Sequence, residues 1–395
     1  MFITEQYHLY HLGYQLVAED DFEVIYFNER RNELWLEKYE NRISKVIRLV
    51  QHGFDWKNHL KSDIAHVFTR ARALKKYFMS DRIHIYNVYV SSHEPVDDWE
   101  GLKRPLQLNE KKPLKMKVFY LSEANFLEEK TRLLQQIDSN VEKNVDITLP
   151  KELAVEQYKN YLIHSLKSRR QQYKDIFTFG KPRLLYGLIA INLLVFFFLE
   201  INGGSTNIDT LIQSGAKFNP AIMDGEWWRI VSSMFLHIGL LHLLMNMLAL
   251  YYLGTAVESI YGSIRFIIIY MLAGIGGGLT SFAFNDAVAA GASGALFGLF
   301  GALLFFGTVY KRLFKQTMGK NLILILLMNL VFGILVPQID MGAHLGGLLM
   351  GFVAAGITSV PNKQNFPKQL IYVMIYVVAT VFLIWYGIVQ NIHYF

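Results

Sequence analysis

Charge nearly disappears from this chain after its first 175 residues. Of 39 lysines and arginines, 28 precede residue 176, and of 33 aspartates and glutamates, 26 do. The remaining 220 or so residues hold only 11 basic and 7 acidic side chains. They contain seven long apolar runs, close to Arg183–Leu199, Phe235–Leu253, Phe266–Phe284, Ala292–Tyr310, Leu322–Pro337, Ala343–Val360 and Leu370–Val389. A helix needs about 20 apolar residues to cross a bilayer, fewer where neighbours shield it. The pattern therefore predicts an all-α polytopic membrane bundle behind a soluble N-terminal domain. The fifth run is short and the sixth is rich in glycine, so both are expected to pack inside the bundle rather than face lipid.

The first 175 residues mix two periodicities. Phe22–Phe27, Leu34–Leu36, Ile83–Val90 and Leu114–Tyr120 read as strands. Trp56–Phe78, Glu123–Ile137 and Glu152–Lys174 place apolar residues at helical spacing. An α/β or α+β domain is expected, joined onward through a linker at Asn140–Pro150. The chain contains no cysteine, which excludes disulfides, thiolate catalysis and cysteine-based zinc sites. Its N-terminus lacks the basic start and apolar run of a signal peptide, so the soluble domain is expected in the cytoplasm.

Basic residues in short loops orient a bundle. Lys167, Arg169, Arg170, Lys174, Lys181 and Arg183 precede the first run, and Arg265 lies between the second and third. Lys311, Arg312, Lys315 and Lys320 lie between the fourth and fifth, and Lys363 and Lys368 between the sixth and seventh. The other side has only Lys217 and Arg229. This alternation supports seven spans with the N-terminus inside and the C-terminus outside, and the plasma membrane is the expected location. The net charge of +6 is modest, and orientation explains it better than nucleic-acid binding does.

Polar side chains at membrane depth usually face a bundle interior and mark a site. Spans two, four and six run from outside to inside, and each carries such residues near its outer half. Ser293 opens the fourth and His344 the sixth, while His242 and Asn246 share a face of the second at i, i+4. Gly294 and Gly298, and Gly347 and Gly351, form two GxxxG faces that allow close approach. If those faces meet, Ser293 and His344 come together. Ser293 would then lie in the first turn of its helix, where free N–H groups and the positive dipole end favour an oxyanion. A nucleophile, a base and hydrogen-bond donors are the inventory of acyl transfer.

Each residue also has a plainer reading. A serine in a glycine-rich helix can bond its own backbone, and His344, His242 and Asn246 can be interhelical glue. His237, near the outer end of the second span, is either a supporting donor behind the site or an interface residue. Asp340, four residues before His344, is either a triad carboxylate or the N-cap of its helix, and the cap reading is preferred. Glu226-Trp227-Trp228-Arg229 is either an interface anchor or, through Arg229, a tie within the first loop. Glu258 reads as structural. Glu5, His8 and His11, or Asp97, Asp98 and Glu100, could bind a metal, but exposed acids and helical histidines are common.

Taken in order, GEWWR (Gly225–Arg229), FLHIGLLHLLMN (Phe235–Asn246), GTAVESIYG (Gly254–Gly262), GASG (Gly291–Gly294) and AHLGG with Gly351 resemble the rhomboid family of intramembrane serine proteases. The likeness covers about Lys181 to Val389. It is closest to a Gram-positive type with a cytoplasmic N-domain and a seventh span. PVDDWE (Pro95–Glu100) and LEINGGSTN (Leu199–Asn207) add to it. The resemblance implies Ser293 as nucleophile, His344 as base, and His242, Asn246 and the Ser293 amide as oxyanion donors. His237, Gly291, Phe297 and Arg229 would support them. Phe297 stands where a tyrosine is often found, which keeps an aromatic face for His344 and loses a phenol. Residues 1–175 would then be the soluble domain, 176–360 a six-span rhomboid core, and 361–395 the seventh span with an extracytoplasmic tail.

The implied activity is cleavage of membrane-protein substrates near the outer face by a Ser–His dyad, at transmembrane segments that unwind easily. Substrates would enter from the bilayer past the fifth span. No cofactor or metal is implied. The N-domain is expected to regulate cleavage or to present substrates, through a membrane protease or quality-control partner. A non-proteolytic protein that binds or chaperones membrane helices on the same fold is the alternative. A transporter would need inverted repeats and midplane charges, which the sequence lacks.

Overall fold

Strand pairing organises the first unit of the computed structural model, which describes residues 2–75, 80, 82–108, 113–139, 141, 150–336 and 338–392. The strands β1 (Glu23–Asn28), β2 (Glu33–Glu40), β3 (Ile43–Gln51), β4 (Arg82–Val90), β5 (Leu106–Leu108) and β6 (Leu114–Leu121) form one sheet in the order β1-β2-β3-β4-β6-β5. The pairs β1–β2, β2–β3 and β5–β6 are antiparallel, while β3–β4 and β4–β6 are parallel. Parallel strands need covering on both faces. Helices α1 (Phe2–Ala18), α3 (Phe126–Gln136) and α4 (Lys151–Phe177) share a core with Leu34, Ile47, Val88 and Phe119 on one face. Helix α2 (Lys57–Leu74) packs Leu60, Ile64 and Val67 against Trp35, Val46, Ile85 and Tyr120 on the other.

Helix α1 and strands β3 and β5 lie outside the sequence expectation. β3 is disguised by buried polar residues that find partners across the sheet. Ser44 donates to Glu37 at 2.9 Å and Arg48 to Glu33 at 2.8 Å. The expected linker Asn140–Pro150 falls outside the described residues except at 141 and 150, and the fifth run's end, Pro337, also lies outside them.

The chain divides into units 1–172 and 173–395, and among its described residues the second has helices, connecting loops and one isolated β-bridge but no strand. It continues from the end of α4 into α5 (Leu184–Ile201), then a long loop with short helices α6 (Ile208–Gln213), α7 (Asn219–Met223) and α8 (Arg229–Ser232). Next come α9 (Gly239–Ala249), a π-helical turn at Leu250–Gly254, and α10 (Thr255–Tyr261), which together run as one helix of 23 residues. This second span therefore starts four residues later than the apolar run and ends eight later. Gly239 sets the start, with a φ of +77° that glycine adopts freely. The remaining helices are α11 (Ser263–Phe284), α12 (Ser293–Val309), α13 (Lys311–Thr317), α14 (Gly319–Leu335), α15 (Met341–Thr358) and α16 (Phe366–Gln390).

Five of these helices, with α9–α10 counted as one, are long and apolar enough to cross a membrane. The pair α13–α14, bent by 72°, would make a sixth, and α12 is an apolar helix of 17 residues. Glu258 in α10 accepts the free N–H groups of Arg183, Leu184 and Leu185 at 2.9–3.0 Å and so caps α5.

Glycine sets the centre of the bundle. A Cβ on Gly347 of α15 would overlap the Gly294 carbonyl of α12, and one on Gly351 would overlap Gly298. A Cβ on Gly277 of α11 would lie 2.7 Å from the Ala343 carbonyl oxygen of α15. Three backbones thus touch directly. The short fifth span behaves otherwise than expected. Among its residues only Gly319, Leu322, Leu326 and Gly333 are buried in α14, and Leu324, Met328, Phe332 and Leu335 are exposed. The close-packed trio α11, α12 and α15 already fills the interior, and apolar side chains facing lipid carry no penalty. Helix α15 does pack inside, as its glycines require.

Overpacking a tight core costs about 1–3 kcal/mol. Gly351→Ala is therefore expected to lower the thermal midpoint in detergent. Gly187→Ala in α5, with open space around its Cα, should hold or raise it, because alanine favours a helix. Thermal unfolding of both variants followed by circular dichroism checks the contrast.

Candidate active site

The contact between α12 and α15 determines where the candidate residues lie. Ser293 is the first residue of α12 and half-buried, and His344 is the fourth residue of α15 and buried. The backbones beside them touch: a Cβ on Gly294 would sit 3.3 Å from the Ala343 carbonyl oxygen. Phe297, one turn after Ser293, stacks on the His344 ring with centroids 4.1 Å apart and planes 16° from parallel. His344 Nδ1 is buried without a hydrogen-bond partner. Packing therefore brings serine and histidine to the same crossing with no hydrogen bond yet drawn between them, as is common in substrate-free sites.

Asp340 is engaged elsewhere. One carboxylate oxygen accepts the Ala343 N–H at 2.9 Å and caps α15, and the other accepts the Ser281 hydroxyl. His242 approaches Ser293 from α9. Its Nδ1 lies 3.4 Å from the Ile238 N–H, and its ring lies against Gly291, where a Cβ would come within 2.8 Å of Cε1 and 2.9 Å of Nε2. Gly291 has a φ of +142° and donates its N–H to the Ser233 carbonyl at 2.9 Å. His237 is fully buried, with its ring centroid 5.3 Å from that of His242. Asn246 is buried one turn further along α9, and its amide donates to the His242 carbonyl at 2.9 Å.

Arg229 lies away from this group. Its guanidinium donates to the carbonyls of Ile212 at 2.6 Å and Ala216 at 3.2 Å, pairs with Glu226, and covers the Trp228 ring. These bonds hold the first loop together. Sequence reasoning passed over Lys217, Ser233 and Ser281. With Ser293 and Asp340 they line a cavity of about 40 Å³, room for at least one water molecule. Lys217 is buried in the first loop, and burial pulls its ammonium down to about 8, against the pull of Asp340 and Asp286. Its signal was faint: one lysine on the side poor in basic residues.

No group of three metal-ligating side chains occurs among the described residues. His8 and His11 sit in an aromatic cluster with Tyr7, Phe126 and Tyr158, and burial lowers both to about 4. Glu5 accepts from Gln51, and Asp97 accepts the Lys57 N–H near the start of α2.

Such a constellation can supply a hydroxyl nucleophile at a helix N-terminus, an imidazole and nearby donors, the groups that acyl transfer uses. Comparison with known proteins gives the family. The family model of the rhomboid domain matches residues 224–361. Rhomboid protease GluP of Bacillus subtilis (strain 168) is 34% identical over 394 residues, covering 98% of this chain and 74% of that protein. RHOMBOID-like protein 1 of Arabidopsis thaliana is 44% identical over 166 residues, 40% of this chain and 42% of that protein. RHOMBOID-like protein 5 of the same plant is 41% identical over 153 residues, 37% of this chain and 48% of that protein. The match spans less than half the length of the plant relatives. This chain belongs to the rhomboid family. It is a multi-pass intramembrane serine protease whose substrates are membrane proteins, so the non-proteolytic alternative gives way.

Gly291 combines a strained φ with contact to His242, so Gly291→Ala must shift the ring or the loop. Misplacement by about 1 Å can cost a factor of 10² in rate. Cleavage of a reporter transmembrane segment is expected to fall toward that limit while the variant stays folded by circular dichroism.

Proposed function

We propose that Ser293 and His344 form a catalytic dyad that cleaves transmembrane segments near the outer face of the plasma membrane. The observation that carries this reading is the glycine contact of α12 with α15, which sets the serine and the Phe297-stacked histidine at one level. Ser293 Oγ attacks the scissile carbonyl carbon, and the hydroxyl proton passes to the His344 imidazole. The tetrahedral oxyanion is held by the Ser293 N–H at the start of α12, by His242 and by Asn246. For Asn246 this requires its amide to turn from the His242 carbonyl toward the oxyanion. Collapse breaks the C–N bond, and the imidazolium returns the proton to the leaving amine. Water then attacks the acyl ester, His344 takes its proton, and Ser293 Oγ leaves with it. Asp340 already caps α15 and holds Ser281, which favours a dyad over a triad.

A helical substrate hides its carbonyls in i→i−4 bonds, so residues that destabilise a helix near the cut favour attack. The exposed face of α14 supports entry from lipid past the fifth span. The basic loops support a cytoplasmic N-terminus and an extracytoplasmic C-terminus. Residues 1–175 serve as a cytoplasmic module that regulates cleavage or presents substrates, through a membrane protease or quality-control partner. Residues 176–360 form the catalytic core and 361–395 the seventh span with its tail.

Ser293→Ala is expected to abolish cleavage of a reporter transmembrane segment. Asn246→Ala should lower the rate by about 10²–10³, the loss of one oxyanion donor. Gel cleavage in one detergent reads both, and full activity of Ser293→Ala would sink the assignment. Removal of residues 1–175 should leave reporter cleavage intact and alter cleavage of native substrates, as compared by proteomics of membranes carrying either form.

A further inference from the structure

We infer that the seventh long helix, α16, is a positioning element for the catalytic serine and acts through Asn391; this rests on the reading of Ser293 as the nucleophile. The argument starts at the C-terminal end of α11. A helix leaves its last carbonyls without intrahelical partners. Here side chains remote in sequence take them. The Phe282 carbonyl accepts the Asn391 amide at 3.0 Å and the Asn219 amide at 3.3 Å. The Asn285 carbonyl accepts Asn219 at 3.3 Å and also Lys217 Nζ, which reaches the Ala287 carbonyl at 2.9 Å. Asn219 and Asn391 are joined directly, Nδ2 to Oδ1, at 2.8 Å. All three side chains are at most 1% exposed.

These carbonyls belong to the segment that leads into Ser293. After residue 285 the chain pairs with the first loop, Lys217 N–H to the Ala289 carbonyl at 2.9 Å and back at 3.0 Å, and then Gly291 bonds Ser233. Ile222 and Ile230 of the first loop, Leu279 and Phe282 of α11, and Leu383 of α16 form one apolar cluster beneath. Gly387 of α16 presses so closely on Phe282 that a Cβ would overlap its ring. Asn391 is therefore a clasp. It satisfies the α11 terminus and fixes Asn219, which in turn holds the start of the loop that carries Gly291 and leads into Ser293. Without its amide, buried donors and acceptors at that terminus lose partners, and the segment shifts to recover them.

The test uses the full chain in detergent, with Asn391→Ala, Asn391→Thr, Asn219→Ala and the double variant Asn219→Ala/Asn391→Ala. Ser293 labelling by a fluorophosphonate, kcat and KM on a reporter transmembrane segment, and the thermal midpoint are read for each. Asn391→Ala should lower kcat and the labelling rate together by about tenfold or more, as small misplacements of a nucleophile do. KM should hardly change, and the midpoint should fall only modestly, by what the lost buried hydrogen bonds contribute. Asn391→Thr, which keeps one donor, should recover part of the loss. The double variant should be no slower than Asn219→Ala alone, since both act through one clasp. Wild-type kcat and labelling in a folded Asn391→Ala overturn the inference, as does a loss that Asn391→Thr shares in full with a lowered midpoint. Should Asn391→Ala not fold, Asn391→Thr is compared with wild type by the same criterion. Absence of labelling at Ser293 in the wild type would instead strike the nucleophile assignment.

Discussion

Direct backbone contact between α11, α12 and α15 is the constraint on which the second unit depends. Lipid removes the hydrophobic drive between helices, so association must come from close packing and polar contacts. Gly277, Gly294, Gly298, Gly347 and Gly351 permit that closeness because no Cβ intervenes. Once the backbones touch, the first turns of α12 and α15 lie side by side. Ser293 and His344 need no bond to each other to arrive there, and the Phe297 ring fills the space that keeps His344 in place.

Several polar residues of the second unit close helix ends. Glu258 closes the start of α5, Asp340 the start of α15, and Lys217, Asn219 and Asn391 the end of α11. Each satisfies backbone groups that a helix end leaves without intrahelical partners. Each also joins elements far apart in sequence, so capping doubles as tertiary connection. In the first unit a sheet does this work, and its buried polar side chains, Arg48 with Glu33 and Ser44 with Glu37, pair across neighbouring strands instead.

Legibility followed the physics of each element. Apolar runs of membrane length could be read directly, as could strands whose alternation was clean, such as Ile83–Val90. β3 was hidden because its buried polar partners lie on another strand, and no local pattern reveals a partner. α14 was misjudged because shortness was taken as a sign of burial, whereas its bend with α13 and a filled interior leave it facing outward. At the site, the residue types were visible as polar interruptions of apolar runs. Lys217 and Asn391 were not, because a lone lysine or asparagine in a loop or at a helix end looks solvated until the fold buries it.

The sequence by itself determined that this chain crosses a membrane as helices, that glycine faces recur on two of them, and that a serine and a histidine lie at their ends. Local composition suffices for that, since hydrocarbon admits only helices or closed barrels and glycine spacing follows the helical turn. Tertiary structure alone decided which surfaces meet. It set His242 against Gly291, gave Asp340 to Ala343 and Ser281, and brought Asn391 to Asn219 across 172 residues of chain. Such pairings depend on the packing of whole helices, and no span of sequence encodes them alone.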